Sequence, residues 1–199
     1  MQNKPQAFIF VGRSGSGKGT QATLLMEGLK KKYPGQGIFT VETGKELRKF
    51  IEGDSYTQKL ANKIQMGGGF QPSFLAIYNW VKVVIEKYNQ GEHMVFDGTS
   101  RRLPEAIVLD SIFDFYGVQQ KWVIYLDIHD DEATKRLLAR GRSDDTHDGI
   151  RNRLANYEED MKPSVEFFRA NSRYSFLDID GIRPIDVIHA DIVKRVGLE

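Results

Sequence analysis

The sequence predicts a doubly wound α/β fold, a five-stranded parallel sheet with helices on both faces. Short strand-like apolar runs alternate with longer helical stretches, as a parallel sheet covered by helices requires. The chain has 199 residues and is 40% apolar, enough to bury one core. A glycine-rich turn joins the first apolar run to the first helical stretch, and sheets of this kind bind ligands at the carboxyl ends of their strands.

Ala7–Val11 reads as the first buried strand, broken at Gly12, and a helix follows over Lys18–Tyr33. Ile38–Glu42 is the second strand. Helical patterns over Gly44–Glu52, Ser55–Met66 and Pro72–Asn89 separate it from the third strand, His93–Asp97. Pro104–Tyr116 reads as helix and Lys121–Ile128 as the fourth strand. Helices are expected over Asp130–Arg140 and His147–Asn171, then a fifth strand over Tyr174–Asp180 and a last helix over Pro184–Arg195. Glycines interrupt the pattern at Met66–Pro72 and again at Arg140–Asp145. The first interruption lies inside a helical excursion, 43–90, that could move as a unit. No internal repeat or low-complexity tract occurs.

A net charge of +1 gives no general reason to expect nucleic acid or a membrane as partner. Zero cysteines exclude a disulfide framework, a thiol nucleophile and a cysteine zinc site. The start, Met1 to Gln6, lacks the apolar stretch of a signal peptide, and no run reaches transmembrane length. A cytoplasmic protein is expected.

Residues 8–21 are the most specific segment. Gly12, Gly17 and Lys18 have the spacing of the phosphate-binding P-loop, between a strand and a helix. Gly12, Gly15 and Gly17 permit backbone angles that let successive N–H groups point at a phosphate. The helix N-terminus adds partial positive charge, and Lys18 adds a point charge for the outer phosphates. A plain connecting turn would not need that spacing. The general motif has Ser or Thr after the lysine, to ligate magnesium; here Gly19 stands there and Thr20 follows. Magnesium must therefore rely on Thr20, on Asp97, or on water and the phosphates.

Arg48, Arg101, Arg136, Arg140, Arg142 and Arg153 lie at the ends of expected elements. Any one of them alone would pass as a solvated surface residue. Arg136 and Arg140 share one helix face, Arg142 follows in the break, and Arg153 can turn back toward the same cavity. Arginine forks match phosphate oxygens, so this placement points to phosphoryl transfer.

With these residues in place, the chain resembles the adenylate kinase family of nucleoside monophosphate kinases, nearly end to end. Gly15-Ser-Gly-Lys-Gly-Thr-Gln21 is similar to the family's P-loop, including the glycine after the lysine. Thr43-Gly-Lys-Glu-Leu-Arg48 resembles Thr-Gly-Asp-x-Leu-Arg, and Gly68 to Pro72 the Gly-x-x-Val-Pro turn. Asp97-Gly-Thr-Ser-Arg101 resembles Asp-Gly-Phe-Pro-Arg. Arg136, Arg140, Arg142-Ser-Asp-Asp145 and Arg153 match the lid-side arginines, and Arg183-Pro184-Ile185 the loop bordering the adenine of ATP.

The resemblance implies a P-loop NTPase fold, residues 1–199 as one domain, an acceptor-binding insertion over 43–90 and a very short lid over 141–146. It implies reversible phosphoryl transfer from Mg-ATP to AMP, giving two ADP, in a cytoplasmic monomer. Gly15, Ser16, Gly17, Lys18, Gly19, Thr20, Arg136, Arg140 and Arg183 would bind ATP. Thr43, Gly44, Arg48, Gln71, Gly98, Arg101, Glu105, Arg142 and Arg153 would bind AMP. Lys18, Arg101, Arg140, Arg142 and Arg153 would be catalytic, with Mg2+ held through water near Asp97 and Thr20. ATP and a nucleoside monophosphate are the implied partners, with neither nucleic acid nor membrane.

The departures bear on the acceptor. Thr99-Ser100 replaces Phe-Pro, giving up apolar packing and a rigid turn. Glu105 stands where adenylate-specific members have a glutamine that reads the adenine edge. An ionised glutamate only accepts, which suits the two adjacent donors of guanine better than the ring nitrogen of adenine. Alternatively, Glu105 turns to solvent and Arg102 or a backbone group reads the base. Thr43 leans toward AMP, because cytidylate-uridylate members have alanine there. Kinases acting on GMP, CMP or UMP on the same fold stay open. A GTPase-like switch lacks its Asn-Lys-x-Asp base-reading segment, and Asp178-Ile-Asp-Gly181 lies in the wrong chain order for a switch motif.

Overall fold

Five strands carry the architecture: β1 (Gln6–Val11), β2 (Ile38–Glu42), β3 (His93–Asp97), β4 (Gln120–Asp127) and β5 (Ser175–Asp180). Between and after them run α1 (Lys18–Lys32), α2 (Thr43–Phe50), α3 (Tyr56–Met66), α4 (Ser73–Lys87), α5 (Leu103–Phe115), α6 (Asp130–Arg140), α7 (His147–Asn156), α8 (Lys162–Ala170) and α9 (Ile185–Arg195). The computed structural model describes residues 4–199. Met1–Asn3, part of the stretch read above for a targeting signal, lie outside the described residues.

All strand pairs are parallel, in the order β2-β3-β1-β4-β5. The P-loop fold expected from the sequence is present. Strand β1 is buried on both faces, and its alternation sends side chains into two cores. Phe8 and Phe10 pack with Leu25, Leu29, Ile188 and Ile192 of α1 and α9. Ala7, Ile9 and Val11 pack on the other face with Trp80, Leu109, Phe113 and Phe168 of α4, α5 and α8. Burying each of these large apolar side chains contributes ~1.5–3 kcal/mol. The chain passes from β1 to β2 on one side and crosses from β3 to β4 on the other. A crevice therefore opens at the carboxyl ends of β1 and β3, where such sheets bind ligands.

Element boundaries fall within two residues of expectation, except in one segment. Pro72 and Pro184, read as helical, are the N-cap residues of α4 and α9. The stretch expected as one helix over 147–171 is instead α7, a π turn over Tyr157–Met161, and α8. Pro163 explains the break. It lacks an N–H and would clash with the carbonyl four residues back, so the chain re-registers through a wider turn.

Candidate active site

The turn after β1 is built on glycines that no other residue replaces cheaply. Gly12 has φ 139°, and a Cβ there would collide with the carbonyl of Leu126. Gly15 and Gly17 have φ 84° and 94°, and Gly17 caps α1. The Ser16 N–H donates to the Arg13 carbonyl at 3.2 Å, closing the turn. Lys18 Nζ folds back over the loop, donating to the carbonyls of Gly12 at 2.8 Å and Arg13 at 2.7 Å. Burial lowers its pKa to about 8; Asp97 opposes that shift, while Arg101 and Arg140 add to it.

Asp97 ends β3 beside this turn. Its Oδ2 lies 3.1 Å from where a Cβ on Gly19 would be, so residue 19 keeps a clear face toward the carboxylate. Burial pushes the Asp97 pKa up, and Lys18 and Arg101 counteract it.

On the opposite wall, Thr43 is buried and its hydroxyl has no protein partner. Arg48 lies over Gly44: a Cβ on Gly44 would sit 3.2 Å from Arg48 Nη1. Gly98 has φ 70° and accepts a 3.3 Å hydrogen bond from Arg101 Nε through its carbonyl. The Arg101 guanidinium lies 5.5 Å from the centre of the Phe70 ring. Gln71 donates through Nε2 to the Ala61 carbonyl at 2.9 Å, leaving its buried Oε1 without a protein partner.

Glu105 does not turn to solvent. Its side chain lines the cleft, the residue is 2% exposed, and its carboxylate accepts from the Arg101 N–H at 3.3 Å. Burial raises its pKa against the pull of Arg101. Arg102, the alternative base reader, instead pairs with Asp160 at 2.9 Å.

The Thr99-Ser100 departure changes the backbone as well as the packing. Ser100 has φ 61°, a value proline cannot adopt, and both residues are fully buried. Ser164 Oγ donates to the Ser100 carbonyl at 2.5 Å and holds the turn from α8.

The arginines of the third wall are organised by two aspartates. Asp145 accepts from Arg140 Nε at 2.8 Å and Nη2 at 2.7 Å, and from Arg153 Nη1 at 3.0 Å. It also accepts the Arg142 N–H at 3.2 Å. Burial pushes its pKa up, but Arg140 and Arg153 outweigh burial and hold it below the usual range. Asp144 accepts from Arg153 Nη2 at 3.2 Å. Arg136 is held by Glu132 at 2.7 Å, and Arg183 by Asp191 at 2.8 Å. Gln21 Nε2 donates to the Ile185 carbonyl at 2.9 Å and fixes the 182–185 loop against α1.

One cleft of about 940 Å3 joins these walls, and every site residue expected from the sequence lines it. Sequence reasoning gave no role to Asp144, Asp145, Gln65, Phe70 or Asn79, which also belong to this region. Two adjacent acids beside Arg140 and Arg142 were a legible signal. Gln65 and Asn79 carry no local signal, because only the fold turns them inward. Among the described residues, no group of three or more His, Cys, Asp or Glu side chains could hold a metal ion. No helix among them is long and apolar enough to cross a membrane.

The family model described as "Adenylate kinase" matches residues 10–173. "Adenylate kinase 1" of Synechocystis sp. is 32% identical over 191 residues, covering 96% of this chain and 97% of the relative. "Adenylate kinase" of Prochlorococcus marinus is 33% identical over 189 residues, 95% and 97% of the two chains. "Adenylate kinase" of Thermus thermophilus is 30% identical over 197 residues, 97% and 98%.

Proposed function

The chain belongs to the adenylate kinase family, and from that premise we propose how its residues divide the work of transfer. Its activity is reversible phosphoryl transfer from ATP to AMP, giving two ADP. The P-loop amides of Gly15 to Thr20 cradle the donor phosphates, with Lys18 on the outer ones. Arg136 and the 182–185 loop border the adenine of ATP. Arg48 and Arg101 grip the acceptor's phosphate, and Thr43, Gly44, Gln71, Gly98 and Glu105 border its nucleoside. Arg140, Arg142 and Arg153 neutralise charge on the group in flight.

The observation that carries this reading is the convergence of Lys18, Arg101, Arg140, Arg142 and Arg153 on one cleft floored by the P-loop. Transfer between phosphates is mainly positioning and electrostatic stabilisation, so no general base is required. The network on Asp145 orients Arg140 and Arg153 before substrate arrives, which lowers the reorganisation needed at transfer. Closure over the phosphates would come from the excursion 43–90 and from rotation of the arginines, with 141–146 as a minimal lid.

Asp97 and Thr20 at the loop's mouth fit a Mg2+ carried in on the nucleotide. Such an ion keeps several waters and needs few protein ligands. The carboxylate of Asp97 faces that mouth across Gly19. Bound there, magnesium would be held through water by Asp97 and Thr20 and would offset the charge of the phosphates. The reading also carries a monomer working in the cytoplasm.

Initial rates test the division of roles. Arg48→Ala and Arg101→Ala should each weaken AMP use by ~1.5–3 kcal/mol, the size of a lost charge-assisted pair, with ATP binding little changed. Equal damage to both nucleotides would overturn it. A second reading, GMP as acceptor, rests on the inward carboxylate of Glu105. Glu105→Gln should then raise the AMP specificity constant about five- to tenfold and lower that for GMP, since an amide restores one donor. An unchanged ratio between the two acceptors would remove Glu105 from base reading.

A further inference from the structure

The tip of the acceptor-binding excursion is joined to the arginine wall by contacts from three successive levels. Gln65, in the last turn of α3, donates through Nε2 to Asp144 Oδ2 at 2.6 Å. The same oxygen accepts from Arg153 Nη2 at 3.2 Å. Asn152 of α7 reaches back, its Nδ2 donating to the Gly67 carbonyl at 3.0 Å. Between these two bonds the backbones meet face to face. Gly68 has φ 74°, and a Cβ on it would collide with the Gly149 backbone. A Cβ on Gly149 would in turn sit 2.9 Å from Thr146 Oγ1 and 3.0 Å from the Asp144 carbonyl. Thr146 Oγ1 accepts the Gly149 N–H at 3.0 Å, so the start of α7 is fixed around this seat.

Asp144 is the residue at which Gln65, Arg153 and the Gly149 seat meet. It is 7% exposed, and its carbonyl also accepts from Arg153 Nη2, at 2.8 Å. Arg153 is 8% exposed and has Asp145 as its other partner. Its guanidinium is thus fixed on two sides, and one of those sides is held by a residue of the acceptor arm. A half-buried amide giving its N–H to a carboxylate makes a charge-assisted bond, stronger than a neutral one.

We propose that Gln65 is a positioning residue that couples the acceptor arm to Arg153 through the Asp144 carboxylate. Seating of the arm on the Gly68–Gly149 contact brings Gln65 onto Asp144. Asp144 is thereby held in the orientation that aims Arg153 at the transferred group. This rests on the proposed role of Arg153 and adds to it a link from acceptor binding to the transfer-side charge. An arm displaced from its seat leaves the Asp144 carboxylate one donor short and its hold on Arg153 Nη2 looser, with the Asp144 carbonyl and Asp145 still bound to the guanidinium.

A double-mutant cycle tests it, with ATP and AMP as substrates and thermal unfolding recorded for every variant. Gln65→Glu sets two carboxylates against each other and should lower kcat about tenfold, with the KM for ATP within about twofold. Gln65→Met, which has no donor, should lower kcat about fivefold. Asp144→Asn removes the opposing carboxylate and weakens the oxygen that Gln65 and Arg153 share. In that background neither Gln65→Glu nor Gln65→Met should lower kcat much further. Additive losses in the Asp144→Asn background, or a defect confined to the KM for AMP in both backgrounds, would overturn the coupling and leave Gln65 as an ordinary acceptor contact. A parent protein that forms no ADP from ATP and AMP would instead sink the family reading, which separates the two failures.

Discussion

The carboxylate of Asp97 stands 3.1 Å from the point that a Cβ on Gly19 would occupy. That distance is tighter than ordinary van der Waals contact, so the side chain missing from residue 19 is what gives Asp97 its place at the P-loop. Gly19→Ala should therefore slow transfer without unfolding the protein. Residue 19 lies in the first turn of α1, where alanine is at least as good a helix former as glycine. We expect kcat to fall about three- to tenfold, the effect of a small misplacement in a preorganised site, and the melting temperature to stay or rise. A variant with unchanged kcat would show that Asp97 yields freely.

Lys18 gives the site a pH signature. In the free protein its pKa is lowered to about 8 by burial, with Arg101 and Arg140 acting in the same direction and Asp97 against. Bound phosphates favour the ammonium and raise that pKa again, so ATP binding takes up a proton once pH exceeds about 8. Affinity should be flat below that value and fall as pH rises through it, by up to tenfold per pH unit. Calorimetry in two buffers of different ionisation heat reads the proton uptake. Lys18→Arg should abolish it, because arginine stays charged. Uptake that survives in Lys18→Arg would assign the proton elsewhere.

The turn at Ser100 is a second point of leverage. Its φ of 61° is costly for serine and is held by the 2.5 Å bond from Ser164. Ser164→Ala leaves a buried carbonyl unpaired and should cost ~1–3 kcal/mol of stability. Ser100→Pro imposes φ near −65° and should displace Arg101, raising the KM for AMP about tenfold or more with the KM for ATP held. If Ser100→Pro binds AMP normally, the left-handed turn is incidental to the acceptor site.

Much of the molecule was legible in the sequence because its signals are local. The strand at Ala7–Val11, the glycine spacing before Lys18 and the arginines at element ends all follow from neighbouring residues. What was hidden depends on residues far apart in the chain. Ser164 acts on Ser100 from 64 residues away, and Gln65 reaches Asp144 across 79. The break at Tyr157–Met161 was missed because periodicity runs through it, although Pro163 marks the place where an α-helix cannot continue. Glu105 was ambiguous for another reason: a glutamate on a helix is usually exposed, and only packing decides that this one is inside.

The most direct measurement is a set of initial rates with Mg-ATP and each of AMP, GMP, CMP and UMP, scored as kcat/KM for the acceptor. Thr43, Arg48 and Arg101 on the acceptor wall, with the P-loop on the donor wall, predict AMP as the preferred acceptor and ADP as the sole product from it. Preference for another monophosphate, or no transfer to any of the four, would contradict the account.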